Sequence, residues 1–315
     1  MYRRTEYTAG NCTVVRLEND RGAFVDVVPQ LGAMVHRIGL ISSGEVVREL
    51  LRSDLPEELE NNPKYRGRLL FPFNDRIPQG KYTYEGVSYQ LPVNAKSDGS
   101  SIHGLVYNRG FKEESCCLEE GLAKISFSYQ IEEGEWASYP FSAAVVVTYG
   151  LSDKGFTAEY RISNKGKKKM PVALGWHPYF RLDGLVDNWT LHCEGGQYVE
   201  VDETLNPTGR IPDVSGTPFD FTSPRKIEGE ELDIALTNPP SGMTFLSGNG
   251  EEISLYFDPD FFPYVQLYTP PARDSLAIEP ITAATNAFNI DQLGRLDLEP
   301  GAEKRGTVVI GLNPC

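Results

Sequence analysis

Phe156-Thr157-Ala158-Glu159-Tyr160-Arg161-Ile162 alternates apolar and polar side chains at every step, the period of a strand that buries one face and wets the other. Ile125, Phe127 and Tyr129, split by Ser126 and Ser128, repeat the pattern. Tyr82, Tyr84, Val87, Tyr89 and Leu91 flank Glu85-Gly86, which reads as a hairpin whose glycine supplies the positive φ of a tight turn. Further strands are expected over Ala143 to Tyr149, Val172 to Trp176, Ile253 to Phe257, Val265 to Tyr268 and Thr307 to Leu312. The one helical stretch expected is short, Asp54 to Glu60, opened by Ser53 as an N-cap before an acidic first turn. Strands throughout, punctuated by Gly, Pro, Asn and Asp, predict an all-β protein built as a large antiparallel β-sandwich. No segment repeats at a fixed period, which sets propellers and solenoids aside.

Composition agrees with that reading. The 315 residues include 30 Gly and 22 Pro, together about 17% where roughly 12% is usual, and 16 Tyr and 15 Phe add β-favouring bulk. With 44 Asp and Glu against 30 Lys and Arg the formal charge is −14, and a pI near 4.8 argues against a nucleic-acid partner. No window approaches the ~18 apolar residues of a membrane helix, so a soluble, cytoplasmic protein with no membrane partner is expected. The length has room for two average domains, but large all-β architectures use it as one and no linker divides it. Five cysteines, Cys12, Cys116, Cys117, Cys193 and Cys315, are odd in number and lack a Cys-x-x-Cys spacing, so neither a structural metal nor a disulfide framework is expected. The run Lys167-Lys168-Lys169 reads as a solvated hairpin tip rather than a phosphate site.

Four histidines can be taken one by one. In Pro171-Val-Ala-Leu-Gly-Trp-His-Pro-Tyr-Phe180, parity places Val172, Leu174 and Trp176 on one face and Ala173, Gly175 and His177 on the other. Small residues beside His177 leave room for a ligand; a satisfied core histidine is the equal alternative. His103 stands in the glycine-rich Asp98-Gly-Ser-Ser-Ile-His-Gly-Leu105, where backbone and imidazole can approach a small molecule, although a plain loop histidine fits the local pattern too. His36 and His192 receive no function.

Glu279 ends an apolar strand in Ser275-Leu-Ala-Ile-Glu-Pro-Ile281, aimed opposite to Leu276 and Ile278. Burial there would raise its pKa toward the working range of a general base, while an exposed strand-end Glu is the bland alternative. Arg76 follows the apolar Arg68-Leu-Leu-Phe-Pro-Phe-Asn-Asp-Arg-Ile77; its guanidinium suits neighbouring sugar hydroxyls, or simply an ion pair with Asp75. Asp233 is a weaker candidate of the same kind. The chain lacks Gly-x-Gly-x-x-Gly, Gly-x-x-x-x-Gly-Lys and Gly-x-Ser-x-Gly, so dinucleotide redox, phosphoryl transfer and α/β-hydrolase chemistry lose their markers. Two histidines, a carboxylate and an arginine point to proton transfer on a polar, uncharged ligand.

Taken in order, Gly67-Arg68, Asn74-Asp75-Arg76-Ile77, Gly80-Lys-Tyr-Thr-Tyr-Glu-Gly86, Ile102-His-Gly104, His177-Pro-Tyr-Phe180, Gln266-Leu-Tyr-Thr269 and Ile278-Glu-Pro280 resemble the aldose 1-epimerase (galactose mutarotase) family. The match runs from Gly32-Ala33 to Leu298-Glu-Pro-Gly301. The resemblance implies a single galactose mutarotase-like supersandwich over residues 1–315, an open sugar cleft, and no cofactor or metal. It implies interconversion of the α and β anomers of a free aldohexose, a monosaccharide substrate. Glu279 then takes the anomeric hydroxyl proton as general base, and His177 protonates the ring oxygen as general acid. His103 would bond the ring oxygen or its neighbours, and Arg76 and Asp233 the other hydroxyls. Trp176 and Tyr268 are the rings available for the sugar's apolar face, though parity puts Trp176 in the core.

Three departures bear on which aldose is used: Asp75 stands where asparagine usually precedes the arginine, Leu105 replaces a second glycine, and Lys112 follows Phe111 where an aromatic is common. Three rival readings accompany the resemblance. They are a non-catalytic carbohydrate-binding protein of the same fold, an epimerase acting on a phosphorylated hexose, and a glycosidase using paired carboxylates.

Overall fold

The computed structural model describes residues 1–42, 44–62 and 64–314; Cys315 lies outside them. Among the described residues there are strands and five short 3₁₀ turns but no α-helix, and no helix is long and apolar enough to cross a membrane.

The alternating segments become the centre of a nine-stranded antiparallel sheet in which Leu122–Ile131, Ala143–Ser152, Gly155–Asn164, Glu303–Pro314 and Glu251–Phe257 lie side by side. Register carries the parity across the sheet: Ile125 faces Tyr149, Tyr149 faces Ala158, Ala158 faces Val308 and Val308 faces Phe257. All five side chains in that row are fully buried. The neighbouring outward row includes Ser126, whose hydroxyl lies 2.8 Å from that of Thr148, so the wet face is a hydroxyl ladder.

A second, six-stranded sheet packs against this one. It runs Asp233–Thr237, Tyr264–Tyr268, Leu276–Ile281, Gly175–Trp176, Leu69–Leu70, with Tyr179–Phe180 also paired to Leu276–Ile281. Trp176 fills the space between the two layers, its ring centre 6.0 Å from that of Phe156. A five-stranded N-terminal meander covers a further flank and is tied in by Tyr149, whose hydroxyl donates to the Ala33 carbonyl at 2.8 Å. Stacked sheets with interdigitated inner faces are the sandwich expected.

The expected hairpin is present, with Tyr84 opposite Val87 and positive φ at both Glu85 (48°) and Gly86 (79°), the type I′ pattern that matches strand twist. Three local expectations are corrected. Asp54 to Glu60 forms only the 3₁₀ turn Pro56–Glu58, and Ser53 does not cap it; the Asp54 carboxylate is taken by Arg66. The strand expected over Val172 to Trp176 is two strands, because Met170–Val172 pairs with Leu296–Leu298 and Gly175–Trp176 joins the six-stranded sheet. Between them Ala173 N–H donates to Pro72 O at 2.7 Å and Leu174 N–H to the Thr282 hydroxyl at 2.8 Å. The Lys167–Lys169 run is a loop joining strands of different sheets, not a hairpin tip.

Candidate active site

The cleft grows out of the parity of the six-stranded sheet. Asp233 is registered with Tyr268, and Gln266, two residues before Tyr268, is registered with Glu279. Ile281, two residues beyond Glu279, lies opposite Gly175. These side chains share one face and form the floor, while Leu276 and Ile278 point into the sandwich. Gly175 lets the opposite wall approach, since a Cβ there would sit 2.8 Å from Asn74 Cβ and 3.0 Å from Ile281 Cγ2. The chain leaving Leu69–Leu70 can therefore lay Asn74-Asp75-Arg76 across the end of the floor. His177 follows Trp176 at the strand end, and the inward position of the fully buried indole, with Nε1 donating to Gly67 O at 3.2 Å, aims the imidazole outward. Trp176 is thereby removed as a sugar-stacking ring; Tyr268 does line the cleft.

His177, Glu279, His103, Arg76 and Asp233 all border this one cleft, an open space of about 270 Å³. A wider groove of about 600 Å³ crosses the outer face of the nine-stranded sheet, but its lining includes no histidine and mixes Ser and Thr hydroxyls and surface charges with Tyr129, Ala144 and Val146.

At the floor, His177 Nδ1 lies 3.4 Å from Glu279 Oε1. Both residues are about 95% buried, yet Nδ1 has no hydrogen-bond partner: the two groups are within reach but out of line. Burial, reinforced by the charges of Asp75 and Asp233, pushes the Glu279 carboxyl well above the usual range. Burial and the neighbouring His103 hold His177 well below its ordinary value. Both shifts favour the neutral pair, a protonated carboxyl beside a neutral imidazole. That pair carries one proton, the same number as a carboxylate beside an imidazolium, so it can give one proton and take one without exchange with solvent.

His103 is fixed in the left-handed region, φ 65°, and Gly104 presses on Phe71 so closely that a Cβ would meet its carbonyl oxygen at 2.2 Å. Its Nδ1 lies 2.9 Å from the Asn74 carbonyl oxygen. A carbonyl only accepts, so Nδ1 carries the hydrogen. Burial lowers the imidazole to about 4, leaving Nε2 as a bare acceptor at neutral pH. Such a nitrogen is suited to accept a hydroxyl hydrogen.

Arg76 makes the carboxylate ion pairs offered as the plainer alternative: Nη1 is 3.6 Å from Asp75, and Nε donates to Asp98 at 3.1 Å. Burial works against its charge, but Asp75, Asp233 and Asp98 outweigh it. Asp233 accepts from Gln266 Nε2 at 2.8 Å, and burial lifts its carboxyl to about 6.

Sequence reasoning assigned nothing to three contributors. Gln266 was signalled by its parity with Tyr268, and Tyr179 by standing two residues after His177. Tyr65 carried no signal; its ring meets His103 edge-on at 4.5 Å. Together the rings of Tyr65, His103, His177 and Tyr179 form a continuous row, with successive centres 4.5, 5.1 and 4.9 Å apart.

A β-sandwich whose six-stranded sheet holds a buried imidazole–carboxyl couple among polar side chains belongs to a class equipped for proton transfer on a small polar ligand. Comparison with known proteins narrows this: a family model described as aldose 1-epimerase matches residues 13–311, and the chain belongs to the aldose 1-epimerase family, whose members are isomerases. It is 30% identical over 269 residues to the uncharacterized protein YihR of Escherichia coli (strain K12), covering 80% of each chain. It is 34% identical over 176 residues to galactose mutarotase of Sus scrofa, where 55% of this chain aligns with 49% of that protein; the alignment thus spans about half the length of that relative. The crystal structure of a galactose mutarotase-like protein from Clostridium acetobutylicum superposes with a TM-score of 0.85 at 16% identity, covering 100% of this chain and 99% of that one, which shows the fold.

Proposed function

We propose that the protein is an aldose 1-epimerase that interconverts the anomers of a free aldohexose, with Glu279 as base and His177 as acid. The observation that carries the reading is the buried His177–Glu279 pair, 3.4 Å apart and not bonded to each other. The two oxygens on an anomeric carbon are neighbours, so a base for one and an acid for the other must be neighbours as well. Glu279 as carboxylate takes the proton of the anomeric hydroxyl, the bond from the anomeric carbon to the ring oxygen breaks, and His177 as imidazolium protonates that oxygen. The open-chain aldehyde rotates and recloses on its other face with the roles reversed. Sugar binding must draw the couple from its neutral form to the charged one, and a proton passing from carboxyl to imidazole is all that this requires.

The remaining groups hold the ring. His103 accepts a hydroxyl hydrogen through Nε2, while Arg76 donates and Asp233 accepts. Asp75, Asp98 and Asp233 around Arg76 favour an uncharged sugar over a phosphorylated hexose, because an anion there would meet carboxylates before it met the guanidinium. No cofactor enters the reaction.

Crystalline α-D-glucose and α-D-galactose, dissolved with and without the protein and followed by polarimetry, test the activity. Glu279→Gln is expected to abolish the acceleration while sparing much of the sugar affinity measured by calorimetry. A fully active Gln variant would sink the mechanism. Binding without acceleration in the wild type would favour the carbohydrate-binding reading.

A further inference from the structure

His177 Nδ1 has no hydrogen bond to fix the plane of its ring, so packing has to do it. His103 meets the ring edge-on, 77° from parallel. Tyr179 lies flat against it, centres 4.9 Å apart and planes 8° apart. Behind this stack stands Arg66, its guanidinium carbon 5.5 Å from the Tyr179 ring centre and paired with the carboxylate of Asp54. The Arg66 and Asp54 side chains are only 12% and 2% exposed. The two residues after Arg66 bracket the His177 backbone: Gly67 N–H donates to His177 O at 2.8 Å, and His177 N–H donates to Arg68 O at 3.1 Å. One tripeptide therefore holds His177 by its main chain directly and by its ring through Tyr179.

We propose that Arg66, locked by Asp54, is a positioning residue for the acid–base couple, holding the Tyr179 ring flat against His177 so that the imidazole keeps its Nδ1 edge toward Glu279. The proposal rests on the acid–base reading of His177 and Glu279 given above. A cation over an aromatic face is held by the ring quadrupole, and an imidazole stacked on that ring inherits its orientation. An apolar side chain would fill the space beside the ring but would lack the attraction to its face that fixes the ring's plane. The guanidinium also adds a positive charge near His177, which works with burial and His103 against the imidazolium. The other charged or titratable groups facing His177 are Glu279 from the strand Leu276–Ile281, Arg76 from the segment after Leu69–Leu70, and the Tyr179 phenol.

The test compares Arg66→Met, Arg66→Lys and the double variant Asp54→Asn/Arg66→Met, in which no buried carboxylate is left without its partner. With the preferred aldose, Arg66→Met should lose roughly tenfold or more in kcat, with KM little changed, because the ring is misaimed while the hydroxyl contacts remain. The acid limb of the pH–rate profile should move to higher pH, since a positive neighbour of His177 is gone. Arg66→Lys should restore most of kcat and return the limb toward the wild-type position. The double variant should behave as Arg66→Met does with better folding. Titration of the His177 imidazole by NMR in the sugar-free protein reads the same placement whether or not any aldose is turned over. An upward shift in Arg66→Met, reversed in Arg66→Lys, supports the proposal independently of the enzymatic reading. Wild-type kcat and an unmoved titration overturn it. So does a loss of kcat that merely tracks lost folded protein and leaves the titration in place.

Discussion

Replacing Arg68 by methionine removes a charge that the structure holds without a carboxylate in contact. The residue is 2% exposed. Its Nη1 donates to Leu31 O at 2.9 Å and Tyr107 O at 2.7 Å, and its Nη2 to Leu59 O at 2.7 Å. Burial lowers the guanidinium from 12.5 to about 10, so it remains charged at neutral pH at a desolvation cost of about 3 kcal/mol. Methionine relieves that cost but leaves three buried carbonyls unpaired, each having lost a charged donor worth about 1.5–3 kcal/mol. The net expected loss is about 2–6 kcal/mol, with Arg68→Lys intermediate because an ammonium cannot span all three oxygens. Urea unfolding at neutral pH measures it, and tryptophan fluorescence is a suitable probe because Trp176 Nε1 is bonded to Gly67 O. An unfolding free energy for Arg68→Met within about 1 kcal/mol of wild type would refute the claim that these carbonyls depend on the guanidinium. Activity should fall as well, since the Arg68 carbonyl accepts the His177 N–H.

Two further outcomes follow from the same structure. His36 is buried in the N-terminal meander and burial lowers it to about 4 from 6.5. The unfolded chain therefore binds a proton that the folded chain refuses, and this contribution is full above about pH 6.5 and lost as pH falls toward 4. The stability difference between wild type and His36→Gln should accordingly shrink by up to about 3 kcal/mol between pH 7 and pH 4; parallel stability curves would contradict it. Gly175→Ala places a methyl 2.8 Å from Asn74 Cβ and 3.0 Å from Ile281 Cγ2, and should cost about 1–3 kcal/mol and raise KM by shifting the cleft wall. Unchanged unfolding and kinetics would show that the wall yields freely.

The parity of Phe156 to Ile162 and Ile125 to Tyr129 was enough to foresee strands and a sandwich, because alternation is a local consequence of burying one face of an extended chain. Residue types in ordered motifs were enough to single out His177, Glu279, His103, Arg76 and Asp233, and parity already put Trp176 inside. Other features were illegible because their causes lie elsewhere in the chain. Val172 to Trp176 reads as one strand, yet its halves pair with partners more than a hundred residues away, at Leu296–Leu298 and Leu276–Ile281. Ser53 looks like a cap, but Arg66 holds the Asp54 carboxylate and the helix does not grow.

Chemistry divides the same way. The sequence by itself determined which groups are present to move a proton and which face of each strand they occupy. Only the tertiary structure decided their protonation, their tautomer and their aim. A carboxyl is lifted and an imidazole lowered by burial and by neighbours brought from other strands, and the hydrogen of His103 is placed by a carbonyl 29 residues away. Desolvation and Coulomb interaction act through space, and no spacing along the chain encodes them.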